Sequence, residues 1–291
     1  MLRIVLPKGS LEHATMQLFA EADLAVERSS DVSYSASVQD PRVAEVRILR
    51  PQEIPVYVAD GLFDLGITGR DWIEETSSDV VSLGELQYSK QSARPVRVVL
   101  AVADRSPVHD VADLPQGVRI ATEYPRLTQR YMESHGVDAS IHLSYGATEA
   151  KIPDIADAVV EITETGRALV AAGLRVVETM LISSTELVAN RSAAADPVKR
   201  HAMDQLATLL RGTLEARGKV LVKLNVSAAD LDEVLKVLPS LKAPSISELS
   251  GTDGFAVETV VEKAGINVLI PELKDRGASD IIELPLSKIV R

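Results

Sequence analysis

Residues 157–172 read DAVVEITETGRALVAA, and this stretch decides the class of fold. Asp157 to Ile162 has the run of β-branched residues expected of a strand. Thr163-Glu164-Thr165-Gly166-Arg167 is a small-residue turn, and Ala168 to Ala172 reads as helix. The same strand-turn-helix unit recurs on both sides. N-terminally, Arg3 to Leu6 stops at Pro7-Lys8-Gly9 and passes to a helix with Ser10 as the expected N-cap, striped by Leu11, Ala14, Leu18 and Ala22. Val32 to Val38 and Val43 to Leu49 read as strands, and a short helix from Pro51 ends at Gly61. Leu62 to Ile67 reads as a buried strand, broken by Thr68-Gly69 before a helix near Asp71. After the polar stretch Ser89 to Ala93, the strand Val96 to Val102 opens a second lobe. In it, Val118 to Thr122 and Ala139 to Leu143 are strands around a helix from Pro125 to His135, closed by Gly136. Strands recur between Arg175 and Ala189, and Asp196-Pro197 begins a long connector helix that ends at Gly218. Such alternation predicts an α/β architecture with largely parallel sheets. Residues 219 to 291 read strand, helix, two strands, helix, strand, the ferredoxin-like order.

The chain has 291 residues, enough for two to three domains at roughly 150 residues each. Acids outnumber bases 42 to 31, and the net charge of −11 argues against nucleic acid and anionic membranes as partners. With no cysteine, disulfides, thiolate metal sites and cysteine nucleophiles are excluded. Aromatics at 3% leave Ala, Val, Leu and Ile to form the core and make base stacking an unexpected mode of recognition. The first ten residues, MLRIVLPKGS, hold too short an apolar run for a signal peptide, and no stretch reaches the ~18 apolar residues of a membrane span, so a cytoplasmic location is expected. The histidines at 13, 109, 135, 142 and 201 have no metal-ligand spacing. There is no Walker loop, dinucleotide fingerprint or nucleophile elbow.

Three strand-to-helix junctions gather small residues, backbone amides and a cation: Leu6 to Ser10, Gly66 to Asp71, and Glu161 to Arg167. Each is either a tight βα turn or a seat for an anionic ligand. The third adds a carboxylate ahead of a hydroxyl- and glycine-containing turn. Glu161 there suits a sugar diol, and Thr165 with the turn amides suits a phosphate, a pattern shaped for a phosphoribosyl group. Between residues 149 and 164 stand Glu149, Asp154, Asp157, Glu161 and Glu164 against Lys151 alone. Beside a diphosphate such carboxylates act through Mg²⁺; otherwise they are a solvated acidic helix end.

These junctions resemble the ATP phosphoribosyltransferase family in its long form. Leu6-Pro7-Lys8-Gly9-Ser10-Leu11 looks like that family's N-terminal motif. Leu49 to Pro55 and Asp64 to Asp71 are similar to its next block, and Glu149 to Leu169 resembles its phosphoribosyl-diphosphate (PRPP) motif. The resemblance covers essentially the whole chain. It departs at Glu161, where the family usually has Asp, and at Ala168, where it usually has Thr or Ser. A hydroxyl lost at Ala168 removes a charge-assisted hydrogen bond worth about 1.5–3 kcal/mol to a phosphate.

The resemblance implies a periplasmic-binding-protein-like core of two lobes, residues 1–93 with 180–213 and residues 94–179, followed by an ACT-like regulatory domain at 214–291. It implies transfer of phosphoribosyl from PRPP to N1 of ATP, the first step of histidine biosynthesis, with Mg²⁺ as cofactor and feedback inhibition by histidine. A homo-oligomer, dimer or hexamer, is implied as well. Carried onto this chain, Asp157, Glu161, Glu164, Thr165, Gly166, Arg167 and Ala168 are expected at PRPP. Lys8, Gly9, Arg50, Gly69, Asp71, Arg94 and Arg97 are expected at ATP, Glu161 and Lys8 in catalysis, and Glu149 and Asp157 as metal candidates. Asn225, Ser245 and Ala278, at a strand end or loop edge, are the expected neighbours of an effector. Two other readings remain: a non-catalytic two-lobed ligand-binding module, which shares strands of the Gly61-to-Ile67 type, and a catalytically silent paralogue of the same fold, to which Ala168 points.

Overall fold

A computed structural model describes residues 1–30, 33–88, 96–239 and 243–291. The chain forms two compact units, Met1–Leu210 and Arg211–Arg291.

The first unit contains two sheets. One begins with β1 (Leu2–Pro7), whose side chains are nearly all buried, and continues after α1 (Glu12–Glu21) with β2 (Val26–Arg28), β3 (Ser35–Val38) and β4 (Val43–Leu49). Next come α2 (Ile54–Ala59), β5 (Leu65–Gly69), α3 (Arg70–Thr76) and β6 (Val80–Leu86). The other sheet is built from β7 (Val96–Ala103), β8 (Val118–Thr122), α4 (Pro125–Ser134), β9 (Ala139–Leu143), β10 (Ala158–Thr163), α5 (Arg167–Ala171) and β11 (Leu174–Ser183). The chain then returns to the first sheet with β12 (Thr185–Asn190), followed by α6 (Arg191–Ala195) and α7 (Pro197–Ala216). The strand orders are β2-β3-β4-β1-β5-β12-β6 and β11-β7-β10-β8-β9.

Neither sheet is largely parallel, which corrects the sequence-based expectation. Only β4-β1-β5 and β10-β8-β9 pair in parallel. The hairpin-connected β2 and β3, the returning β12, and β7 and β11 all pair antiparallel. The parallel triplets are where βα crossovers occur, and their C-terminal ends are where ligands of open α/β sheets bind.

The N-terminal turn also differs from expectation. Ser10 caps nothing: residues 9–11 form a 3₁₀ turn, and Gly9 N–H donates to the Glu12 carboxylate at 3.2 Å. The strand expected over Leu62 to Ile67 begins at Leu65, because Asp64 turns its carboxylate onto Arg3 N–H at 2.8 Å and Lys199 Nζ at 2.8 Å. This buried acid ties α7 to the end of β5 opposite α3. Packing of α2 on β5 needs Gly66, where a Cβ would stand 2.9 Å from both Ile54 Cγ2 and Val58 Cγ2.

The second unit has β13 (Lys219–Ser227), α8 (Leu231–Val237), β14 (Ser245–Glu248), β15 (Gly254–Glu262), α9 (Ile266–Asp275) and β16 (Ser279–Pro285). Its antiparallel order β14-β15-β13-β16 is ferredoxin-like. Val220, Val222, Leu224 and Val226 alternate toward the helices and form its core with Val234, Leu269 and Leu273. No helix of the described residues is long and apolar enough to cross a membrane.

Candidate active site in the cleft of the N-terminal unit

A cleft of about 790 Å³ opens where the two parallel triplets present their C-terminal ends. The first sheet contributes Gly69, Asp71 and Trp72, and the second contributes Glu123, Tyr124 and the turn from Ile162 to Thr165 with Arg167 and Ala168.

Asp71, in the first turn of α3, is 3% exposed. Its Oδ1 accepts from Ser183 Oγ at 2.6 Å, its Oδ2 from Tyr124 Oη at 2.8 Å, and its own N–H donates to Ser183 Oγ at 3.0 Å. Burial pushes its carboxyl up from the ordinary value, and the two hydroxyls pull it back. Tyr124 is pushed well up by burial and by the Asp71 charge, and packs on Trp72 with ring centroids 4.6 Å apart and the planes tilted by 35°. One turn on, Glu75 accepts from the N–H groups of Arg126 (3.1 Å) and Leu127 (2.8 Å). Helix α3 of the first sheet thus grips the start of α4 on the second. The contacts of Asp71 run to this interlobe clamp, which sequence reasoning did not foresee.

Gly69 serves the same clamp. Its φ is −84°, so no left-handed backbone requires glycine, but a Cβ would lie 2.1 Å from Asp71 Oδ1. The Asp71 carboxylate folds back over the space that Gly69 leaves.

Beside Tyr124, Glu123 lies directly after β8. The parallel register Val160↔Thr122, extended by one residue, sets Glu123 beside Glu161. Burial raises Glu123, and Lys151 opposes the shift. Glu161 is likewise raised by burial, with the Ile162 N–H and Thr148 hydroxyl opposing and the Glu123 and Glu149 charges adding to it. Two partly buried carboxylates therefore stand side by side where β8 and β10 end; Glu123 lines the cleft, whereas Glu161 is not among its described lining residues. Sequence reasoning named Glu161 and missed Glu123, because Thr122-Glu123-Tyr124-Pro125 is a βα junction without the glycine that marked the others.

In the turn after β10, Gly166 has φ +78°, and its N–H donates to Thr163 Oγ1 at 2.8 Å. Arg167 N–H reaches Thr165 Oγ1 at 3.5 Å. Glu164, Thr165, Arg167 and Ala168 line the cleft, while Gly166 shapes the turn from behind.

The expected phosphate-binding cations are not within the lining. Lys8 Nζ sits 4.1 Å over the Tyr34 ring, Arg50 is exposed after β4, and Arg97 donates to Thr179 Oγ1 at 3.4 Å. Gly9 is exposed in the 3₁₀ turn. Arg94 lies outside the described residues. Among the described residues the lining carries Asp71, Glu85, Glu123 and Glu164 against Arg167.

Asp157 does not join the cleft. It lies at the opposite end of β10, where its carboxylate accepts from Arg119 N–H at 3.0 Å and from the Arg119 guanidinium at 2.7 Å, and this pairing lowers its pKa. Glu149, on the 3₁₀ turn 148–151, is therefore not its partner in a metal site. Among the described residues no three His, Asp or Glu side chains are arranged to hold a metal ion, so the donor set does not form a resident Mg²⁺ cage. In the second unit, Asn225 Nδ2 donates to Asp280 Oδ2 at 2.9 Å and pairs in register with Ser279, next to buried Ala278. Ser245 stands two strands away on the edge strand β14.

Fold and cleft define an α/β core of two mixed sheets around a cleft, followed in the chain by a ferredoxin-like domain. The family model for ATP phosphoribosyltransferase matches residues 50–212, and that for the HisG C-terminal domain matches residues 216–288. The chain is 48% identical to the ATP phosphoribosyltransferase of Pelotomaculum thermopropionicum over 289 residues, 99% of each chain, and equally so to that of Desulforudis audaxviator. A solved structure, the ATP phosphoribosyl transferase (HisG:HisZ) complex from Thermotoga maritima, superposes with a TM-score of 0.63 at 28% identity, over 74% of this chain and 99% of that one. The chain belongs to the ATP phosphoribosyltransferase family, in its long form. It is an enzyme that transfers the 5-phosphoribosyl group of PRPP to N1 of ATP, the first step of histidine biosynthesis.

Proposed function

We propose that the transfer takes place in this cleft, with the ribose of PRPP at Glu161, its 5′-phosphate at the Glu164-Thr165-Gly166-Arg167-Ala168 turn, and ATP entering from the side of Gly69 and Asp71. The observation that carries the reading is the acidic pair at the C-terminal edge of β8 and β10, next to a hydroxyl- and cation-bearing turn that opens into the same cavity. N1 of adenine attacks C1 of PRPP and diphosphate leaves with the bonding electrons. Positive charge grows on the ribose as the leaving group departs, and a carboxylate beside the ring stabilises that charge more in the transition state than in the ground state. The nucleophile is the substrate's own, so the protein positions and polarises.

Mg²⁺, if it takes part, would be held by the diphosphate oxygens of PRPP and water rather than by a cage of this chain's side chains, and would offset the charge of the leaving diphosphate. Lys8, Arg50, Arg94 and Arg97 are proposed for the ATP phosphates and diphosphate. The lobes are proposed as residues 1–93 with 180–213 and residues 94–179. The domain at 214–291 is proposed to bind histidine as inhibitor near Asn225, Ala278 and Ser245, in a cytoplasmic homo-oligomer.

The test is Thr165→Val with Gly166→Ala, assayed by the near-ultraviolet absorbance of phosphoribosyl-ATP at graded PRPP. The KM for PRPP rises at least tenfold while that for ATP holds. An unchanged PRPP dependence removes the turn from the site.

A further inference from the structure

We propose that Glu123 selects the adenine base and stabilises the charge it acquires, accepting a hydrogen bond from the exocyclic amine as N1 bonds to the ribose. The inference rests on the cleft reading above.

Among the described residues, Asp71, Glu85, Glu123, Glu164 and Arg167 are the charged groups of the lining. With the phosphates assigned to the Thr165–Arg167 turn and to the cations outside the lining, the uncharged ribose and adenine are the parts that fit beside Glu123. Glu123 stands between Glu161, at the proposed ribose position, and the Asp71–Tyr124 contact that leads to the first sheet. A base entering from that sheet to reach C1 passes the Glu123 carboxylate. Trp72, Ile162 and Ile182 give the same cavity apolar walls suited to the faces of a purine, leaving its polar edge to be read by Glu123. The backbone at 123 is fixed on both sides: Tyr124 N–H donates to Thr122 Oγ1 at 2.9 Å, and Tyr124 Oη is held by Asp71.

In the reaction the N1 lone pair forms the bond to C1, and the C1–O bond breaks toward diphosphate. The positive charge that began on the ribose passes to the N1–C6–N6 amidine of adenine. No proton needs to move. The amine N–H becomes more acidic, and its hydrogen bond to an ionised carboxylate strengthens along the reaction. An ionised carboxylate only accepts, so it welcomes the 6-amino group of adenine and faces the 6-oxo group of hypoxanthine or guanine with acceptor against acceptor.

The experiment compares the wild type with Glu123→Gln, Glu123→Asp and Glu161→Gln, measuring ATP turnover across pH and competitive inhibition by ITP, whose base carries the 6-oxo group. Glu123→Gln is expected to lower kcat/KM for ATP about 10- to 100-fold, the loss of one charge-assisted hydrogen bond. Its amide donates to the 6-oxo group, so the ITP inhibition constant falls about tenfold relative to the KM for ATP. The acid limb of kcat/KM for ATP, set in the wild type by Glu123 among Lys151, Glu161 and Tyr124, weakens in Glu123→Gln. Glu123→Asp keeps the preference for ATP over ITP while losing rate, and it serves as the informative variant should Glu123→Gln fail to fold. ATP turnover within twofold of wild type together with an unchanged ITP preference overturns the proposal. If Glu161→Gln is silent as well, the cleft reading falls; if it alone is impaired, only the role of Glu123 falls.

Discussion

Gly69 and Gly166 look interchangeable in sequence, each closing a strand-to-helix junction, yet the fold needs them for opposite reasons. At Gly69 the backbone is ordinary and the space is full; at Gly166 the backbone is left-handed and nothing stands within 4 Å of a Cβ. Gly69→Ala forces Asp71 from Ser183 and Tyr124, leaving buried polar groups unpaired. A loss of about 1–3 kcal/mol in urea unfolding is expected. Gly166→Ala costs about 1–2 kcal/mol of left-handed strain, so it should lower stability by that amount in urea unfolding and raise the PRPP KM. Such pairs show why the sequence revealed where junctions lie but not what each residue does there. Asp71 reads as a ligand contact and is found in a clamp, whereas Asp157, inside the motif most specific to the family, is committed to Arg119.

Helix α4 begins at Pro125 with no side-chain cap from Tyr124, the residue before it. The missing acceptor comes from a neighbouring element, the Glu75 carboxylate of α3. Glu75→Ala is therefore expected to cost about 1–3 kcal/mol, and Glu75→Gln, which keeps one acceptor oxygen, less, measured by urea unfolding. Caps supplied from a distant element leave no mark in local sequence, which is why the α3–α4 contact was illegible. Where an element depends on its own residues it was legible: β4, β8 and β9 start and end where their alternation and flanking turns place them. The short β2 was missed, as was β6, whose run Val80–Leu86 is broken by Ser82, Gly84 and Glu85 and lies at the sheet edge. Strand direction was illegible for a related reason. The return of β12 to the first sheet, across more than a hundred residues, adds its antiparallel pairings with β5 and β6 to those of β2, β3 and β4.

Across the whole molecule, two predictions follow from how distant segments are joined. Burial pushes the Asp64 carboxyl up, but the Arg3 N–H, the Lys199 ammonium and the Arg3 guanidinium together outweigh it and hold its pKa below the ordinary value. A group depressed on folding contributes stability fully above the unfolded-state pKa of about 3.9 and loses it as pH falls through the lower folded value. Asp64→Asn is therefore expected to be less stable than wild type at neutral pH, the gap closing as acid protonates the wild-type carboxyl, as thermal unfolding between neutral and acid pH would show. Deleting residues 215–291, which removes the ferredoxin-like sheet, is expected to abolish histidine inhibition in the phosphoribosyl-ATP assay; persistent inhibition places the effector elsewhere. The scarcity of aromatic residues has one more consequence. The chain has a single tryptophan, and it is Trp72, in the cleft wall against Tyr124. Its fluorescence, excited at the red edge where tyrosine does not absorb, is a built-in optical reporter of that one place. Titrating ATP or PRPP should change its emission without any label.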